Sequence, residues 1–292
     1  MNHRLLLAFA RGPGRRWPSL RPPSSRPFSS PSSTTTSFYR RPLIVSSFLS
    51  VSLLCYALGS VYPPPQLSLL FPQPAPGPPA SPDSPASLAY TSNLEQTLQN
   101  LPLLQSLRSR PDAEEWYEVR PYTNYPEERS LNSLTAGALR GPGKLALRPL
   151  VRAKRDETEA VAVIHVGRGL CGHDGIVHGG LLATLLDETL ARTAISNFPE
   201  HVGVTANLSI NYRAPTRADQ FIVIKTKLDS LNGRKAVVSG RIEDLQGTLL
   251  VDASATFVQP KYAKFLNSNL ITLALGDPAT SAANGEKLKV PK

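Results

Sequence analysis

The sequence predicts an α+β domain in which a curved antiparallel sheet wraps around one central helix. Two observations carry this prediction. Residues 181–195 are apolar on almost every side, which is typical of a helix that is buried all round. Runs of alternating apolar and polar residues lie on both sides of it, two before and four after, as expected for strands with one face on a core. A sheet that curves around the helix can cover its whole apolar surface.

The first 42 residues are typical of a targeting leader that lies outside the folded domain and is itself disordered. No acidic residue and no lysine precedes Asp83, whereas eight arginines do. These arginines account for eight units of the formal charge of +10, so that only +2 remains for residues 83–292. An Arg-rich, Ser-rich and acid-free start indicates a mitochondrial transit peptide, and the basicity is therefore poor evidence for nucleic-acid binding. A basic tail without a targeting role is the alternative.

The stretch from Leu43 to Tyr62 carries no charge over twenty residues, which is long enough to cross the hydrocarbon core of a bilayer. Five serines dilute its apolar character. Because Arg40 and Arg41 precede it, the charge bias predicts a transmembrane helix in the inner mitochondrial membrane, with the main domain facing the intermembrane space. The alternative is the hydrophobic part of a cleaved leader.

The rest of the chain divides by composition into four predicted segments. Residues 63–86 form a proline-rich linker, which is expected to be extended and semi-rigid. Residues 87–134 form a helical and irregular flank, residues 135–262 carry the strands and the buried helix, and residues 263–292 form a polar C-terminal tail. Within the strand region, the turn Asn232-Gly233 is a strong hairpin signal.

Two features of the buried helix indicate chemistry. Gly179 and Gly180 open it, where free amides and the positive end of the helix dipole can meet an oxyanion or a carbonyl. Asp187 shares a face with apolar residues and has no cation three or four positions away, so it needs a partner or a chemical role. Its neighbour Glu188 is predicted to lie on a solvated edge, paired with Arg192 at i+4. Amides that polarise a carbonyl near a buried carboxylate are what hydrolysis of an activated acyl group requires.

Metal and thiol chemistry are not predicted. His165, His173 and His178 show no recognisable ligand spacing, so neither a metal nor another cofactor is expected. The two cysteines, Cys55 and Cys171, cannot build a disulfide framework, and Cys171 is interpreted as an incidental loop residue.

The motif His178-Gly179-Gly180, with Asp187 nine residues after the histidine, is followed by the segments VTANLSINYRAP, LNGRKAVVSGRI and LLVDASATFV. Over roughly residues 135–260 the chain resembles the hotdog-fold acyl-CoA thioesterases, in particular the phenylacetic-acid-pathway type and its mitochondrial thioesterase-superfamily members. The resemblance implies hydrolysis of acyl-CoA to the free acid and coenzyme A. It also implies a homodimer or tetramer, because in that family two subunits share each site.

The resemblance assigns four catalytic positions. Gly179 supplies the helix-start amide that polarises the thioester carbonyl. His178 shapes the loop and contacts the carbonyl, or it only caps the helix. Asp187 is the catalytic carboxylate, acting as a general base or as a nucleophile. Thr205 orients the attacking water or the carboxylate.

The resemblance also assigns a set of cations to the coenzyme A phosphates, namely Arg213, Arg234 and Lys235, although solvated surface charge explains them equally well. A different class of function stays open: a non-catalytic acyl-CoA-binding or partner-binding module tethered to a mitochondrial membrane. A module that only binds has no need of a carboxylate beside a thioester, so Asp187 argues against it.

Overall fold

The structure is a computed structural model that describes residues 40–61, 81–173, 175–266 and 268–276. The predicted leader up to residue 39, most of the predicted linker and the last sixteen residues of the predicted tail lie outside these ranges. The chain divides into two compact units, Met1–Pro63 and Pro64–Lys292.

The stretch predicted to cross a membrane forms helix α1 (Arg40–Val61), and Tyr62 lies outside the described residues. Within the described ranges, no helix combines the length and the apolar character that a membrane crossing needs. A membrane crossing by Leu43 to Tyr62 is therefore not shown, and it stays a prediction from the sequence.

The second unit holds every strand of the described residues. Its helices are α2 (Pro85–Gln99), α3 (Pro102–Arg108), α4 (Glu127–Ser130), α5 (Gly179–Ser196) and α6 (Ser268–Leu275). Its strands are β1 (Trp116–Val119), β2 (Leu150–Lys154), β3 (Glu159–Val166), β4 (Cys171–His173), β5 (Ile176–Val177), β6 (Val204–Tyr212), β7 (Gln220–Asn232), β8 (Lys235–Glu243) and β9 (Leu249–Val258). Single turns of 3-10 helix cover Ala113–Glu115, Arg168–Leu170 and Ala263–Phe265, and a π-helical turn covers Leu134–Ala138.

Seven strands form one antiparallel sheet in the order β1-β2-β3-β7-β8-β9-β6, while β4 and β5 pair separately. The sheet curves around α5, whose Leu186 and Leu190 are completely buried. Gly240 in β8 permits this close approach, since a Cβ there would lie 2.8 Å from Leu190 Cδ2. The predicted arrangement, a sheet wrapped around one buried helix, is confirmed.

Helices α2 and α3 cover part of the other face of the sheet. Leu98 and Leu104 are buried there in a second, smaller core, against Val163 of β3 and Phe221 of β7. The predicted amphipathic helix of the flank therefore exists because an apolar sheet surface is available to bury its leucines.

Two segments are more regular than the sequence indicates. The flank contributes β1, which pairs with β2 and extends the sheet by one strand. The segment predicted as a polar C-terminal tail contains α6, and its Ile271 and Leu275 pack against the main core. Both elements are too short to show a clear period in the sequence, and their burial depends on the tertiary structure.

Arg192 does not pair with Glu188 as predicted. Its guanidinium is buried and donates to Glu157 Oε2 at 3.0 Å and to the Tyr117 hydroxyl at 2.6 Å. The Tyr117 hydroxyl donates in turn to Glu157 Oε1. Burial raises the pKa of Tyr117 to about 12, so this phenol stays protonated and remains a donor. The network joins the C-terminal part of α5 to β1 and to the turn before β3.

We expect Arg192→Met to lower the free energy of unfolding by roughly 3 kcal/mol, because it leaves the partly buried Glu157 carboxylate without its cation. Urea denaturation measures this change. Arg168→Met is the matched control: Arg168 pairs with Asp219 at 3.4 Å, and both side chains are nearly half exposed, so its loss should cost less than about 0.5 kcal/mol. Equal destabilisation by the two substitutions would contradict the structural role of the buried network.

Candidate active site at the start and middle of the central helix

The first turn of α5 leaves one backbone amide free. His178 is the N-cap residue, with extended backbone angles, and its Nδ1 accepts a hydrogen bond of 2.9 Å from the Gly180 N–H. The Gly179 N–H has no acceptor among the described residues. Because Nδ1 accepts, a neutral His178 carries its proton on Nε2 and can donate from there. The structure therefore shows His178 in the capping role and leaves Gly179 N–H available to a carbonyl oxygen.

Asp187 lies two turns further along α5 and is partly buried. The Thr205 hydroxyl donates to its Oδ1 at 2.8 Å. This bond orients the carboxylate and occupies one lone pair, which leaves Oδ2 to accept a proton. The predicted pair is thus brought together within one subunit, by a helix residue and the second residue of β6.

A β-bulge explains how Thr205 reaches the helix. Strict alternation along β6 would place Thr205 and Tyr212, seven residues apart, on opposite faces of the sheet. The pairing with β9 shifts at Ala206, so that Thr205 faces the buried Phe257 while Leu208 faces the buried Ala255. Residues directly opposite each other in a ladder share a face, so the extra residue turns Thr205 inward.

Tyr212, at the end of β6, is a site residue that the sequence analysis missed. Its hydroxyl donates to the Gly179 carbonyl at 2.8 Å, and its ring lies beside the Gly179 Cα. The contact holds the first peptide of the helix from the strand side. Alternation along β6 predicts Tyr212 on the core face, but nothing in the sequence indicates that it reaches the helix start.

The two halves of the site are too far apart in one subunit to act on one carbonyl. Gly179 and Asp187 are eight residues apart on α5, a rise of about 12 Å. Strand β6 contacts both halves. Thr205, near the start of the strand, bonds to Asp187, and Tyr212, at the end of the strand, bonds to Gly179.

The three predicted coenzyme A cations do not meet in one subunit. Arg213 lies beside Leu250 at the start of β9 and donates to Asp252 Oδ1 at 2.5 Å. Lys235 pairs with Val258 at the other end of β9, and the neighbouring Arg234 donates to the Gln259 carbonyl at 2.9 Å. Eight residues of strand, about 27 Å, separate these ends.

Glu188 is not on a solvated edge, so that prediction is wrong. It accepts a hydrogen bond of 2.5 Å from the buried Thr135 of the π-helical turn, and Tyr122 lies against the same carboxyl. Burial raises the pKa of Glu188, with the nearby Asp187 charge adding to the effect, while the Thr135 bond lowers it. The flank covers this face of α5, and no periodicity of the helix alone could reveal that cover.

The remaining histidines and cysteines do not assemble into a site. His165 is buried and lies 3.6 Å from Asp219, and burial lowers its pKa. Cys171 and His173 lie on the short strand β4. Among the described residues no group of histidine, cysteine and carboxylate side chains could hold a metal ion.

Comparison with known proteins gives one family match. The model of the thioesterase superfamily matches residues 174–251, from the loop before α5 to the start of β9. The matched region contains the four catalytic positions predicted from the sequence, namely His178, Gly179, Asp187 and Thr205.

Three relatives illustrate the range of the similarity. An uncharacterised protein of Schizosaccharomyces pombe is 32% identical over 170 residues, covering 57% of this chain and 93% of that protein. The uncharacterised mitochondrial membrane protein FMP10 of Saccharomyces cerevisiae is 32% identical over 171 residues, 58% of this chain and 66% of that protein. The acyl-coenzyme A thioesterase THEM4 of Mus musculus is 38% identical over 104 residues, 35% of this chain and 44% of that enzyme.

Among solved structures, a hypothetical thioesterase protein with coenzyme A from Streptococcus pneumoniae is 27% identical, with a TM-score of 0.33, and the match covers 35% of this chain and 80% of that one. The chain spans less than half of the mouse enzyme.

Proposed function

Since this chain belongs to the thioesterase superfamily, we propose that it hydrolyses acyl-CoA thioesters to the free acid and coenzyme A. The observation that carries the proposal is the placement of both half-sites along one strand: Thr205 with Asp187 at the start of β6, and Tyr212 with Gly179 at its end. Similarity to the mouse acyl-coenzyme A thioesterase supports the substrate class.

The edge strand β6 supports assembly of the complete site from two subunits. Among the described strands it pairs with β9 alone, and its nine residues include no charge and no proline, although most of them are exposed. An uncharged free edge is a template for another strand unless something covers it. A two-fold pairing of β6 with its copy is antiparallel, so the Asp187 end of one strand lies beside the Gly179 end of the other.

The same two-fold axis supports a role for the cations. It places Arg213 of one subunit at the same end of the joined sheet as Arg234 and Lys235 of its partner. The three residues, separated in one subunit, would then flank one site entrance from both sides. Phosphate groups of coenzyme A are the anions that such a cluster of arginine and lysine would bind.

The proposed mechanism begins with the thioester carbonyl oxygen at the free Gly179 N–H. Asp187 of the facing subunit, oriented by Thr205, removes a proton from a water whose oxygen attacks the carbonyl carbon. The resulting oxyanion is stabilised by the Gly179 amide, with His178 Nε2–H as a second donor. Collapse breaks the carbon–sulfur bond, and the leaving thiolate takes the proton from Asp187. Direct attack by Asp187, giving an anhydride that water then hydrolyses, remains an alternative route.

A mitochondrial location is supported by two relatives whose names call them mitochondrial. The transit peptide stays a prediction from the sequence, because residues 1–39 lie outside the described ranges. The inner-membrane anchor and the orientation toward the intermembrane space likewise stay predictions from the sequence.

We expect the full-length protein to release coenzyme A from at least one class among short, long and aromatic acyl-CoAs, detected with a thiol reagent. Thr205→Val should lower the turnover by roughly tenfold, because the carboxylate loses its orienting bond, whereas Thr205→Ser should keep most of it. Tight binding of acyl-CoA without release of thiol across the whole panel would instead support the non-catalytic binding module.

A further inference from the structure

A short turn after the last strand presents aromatic and basic side chains to solvent. The 3-10 turn Ala263–Phe265 is anchored by the buried Ala263, and the Phe265 and Leu266 amides donate to the carbonyls of Tyr262 and Ala263 at 3.0 and 2.9 Å. Phe265 is 90% exposed, and Tyr262 is 60% exposed. A phenylalanine held almost wholly in water by an ordered turn is unusual in a folded domain and indicates an interaction surface.

The charged side chains of the turn itself have one sign. Lys261 and Lys264 are exposed, and neither forms an ion pair with any residue of the described ranges. The sequence contains no acidic residue from position 253 to position 276. We call Lys261, Tyr262, Lys264, Phe265 and Leu266 the basic-aromatic turn.

The tip of the β7–β8 hairpin extends this surface. The Gln259 N–H donates to the Arg234 carbonyl at 2.8 Å, and Arg234 Nη1 donates back to the Gln259 carbonyl, so the tip lies beside the turn. Leu231, which is 41% exposed, and Lys235 face solvent on the same tip. Aliphatic, aromatic and lysine side chains thus share one end of the sheet.

We propose that the basic-aromatic turn docks on the surface of an anionic lipid bilayer, with Phe265 and Tyr262 in the boundary between headgroups and acyl chains. Aromatic rings favour this boundary, and lysines near it are attracted by the negative surface potential. A nucleic acid whose bases stack on the aromatic rings would not require the neighbouring exposed leucines, so this surface fits a bilayer better. A second copy docked through the same turn would bring like-charged lysines together, which disfavours that occupant.

The test measures sedimentation of the full chain with phosphatidylcholine vesicles, with or without phosphatidylserine. The double substitution Lys261→Glu with Lys264→Glu should weaken binding to the phosphatidylserine vesicles by roughly tenfold or more. Arg129→Glu with Lys227→Glu, an equal charge change at exposed positions elsewhere, should weaken it much less. Because all variants keep the eight N-terminal arginines, the difference between the two pairs isolates the turn.

A second readout reports insertion directly. In vesicles with brominated acyl chains, Phe265→Trp should be quenched, whereas Leu88→Trp, at a position 62% exposed on α2, should not. Equal binding of both charge-reversal pairs, or an unquenched Phe265→Trp, would overturn the proposal. Loss of the dimer in the Lys261→Glu/Lys264→Glu variant would assign the turn to a subunit contact, and a raised KM for soluble acyl-CoA would assign it to the coenzyme; either result also overturns membrane docking.

Discussion

Asp187→Asn is expected to lower acyl-CoA turnover by about 100-fold or more while leaving the fold intact, because the amide cannot accept a proton from water. The shape of the side chain is preserved, and the asparagine oxygen can still accept the Thr205 hydrogen bond that orients Asp187. The measurement is kcat for the best substrate of the acyl-CoA panel, with circular dichroism and light scattering to establish that fold and assembly are unchanged.

Glu188→Gln is the matched control for this result, since it changes the adjacent carboxylate of the same helix. Its side chain is held by Thr135 away from Thr205, and a glutamine can accept the same hydrogen bond. We expect its turnover to stay within about threefold of the unmodified protein, as for a residue without a role in proton transfer. If Asp187→Asn were as active as Glu188→Gln, the catalytic assignment of Asp187 would be refuted.

Mixed subunits are expected to recover activity that neither parent variant has, provided that each site is shared. Gly179→Pro deletes the free amide at a position where proline is well tolerated, the first residue of the helix. The His178 backbone is already extended, as a residue before proline must be, and a Cβ at Gly179 makes only ordinary contacts with Tyr212. A hybrid of Asp187→Asn and Gly179→Pro subunits contains one intact site, so a randomly mixed dimer population should regain up to about one quarter of normal activity.

The control pairs two lesions of the same half-site. Subunits with Asp187→Asn and subunits with Thr205→Val both damage the carboxylate half, so their hybrids contain no intact site and should gain nothing beyond the average of the parents. Gly179→Ala, which keeps the amide, separates the loss of the donor from crowding by a side chain. Absence of recovery in hybrids whose subunits demonstrably exchange would mean that each site lies within one subunit.

The partners of the charged residues on α5 were the least predictable part of the site. A Glu188–Arg192 pair at i+4 contributes only about 0.2–0.5 kcal/mol in an isolated helix, so tertiary contacts easily replace it. Arg192 instead finds Glu157 and Tyr117, which belong to segments 35 and 75 residues away in the chain. Separations of that size leave no periodic signal in a single sequence.

Features of the protein that depend on local patterns are predictable from its sequence alone. The apolar run of α5 requires a surrounding sheet, the alternation of the later strands supplies it, and the motif from His178 to Asp187 indicates which helix carries the candidate site. These features follow from hydrophobic periodicity and from the free amides of a helix start, which are properties of short segments.

Which side chains meet at the candidate site depends instead on how the strands and the helix pack together. Alternation alone puts Thr205 and Tyr212 on opposite faces of β6, and the bulge at Ala206 brings both inward, one to Asp187 and the other to Gly179. A bulge is a shift in the register between two strands, and its position depends on how β6 packs against β9 and α5 together. The extra residue of the bulge therefore puts Thr205 and Tyr212 on the same face of β6. The sequence of neither strand shows where that extra residue falls.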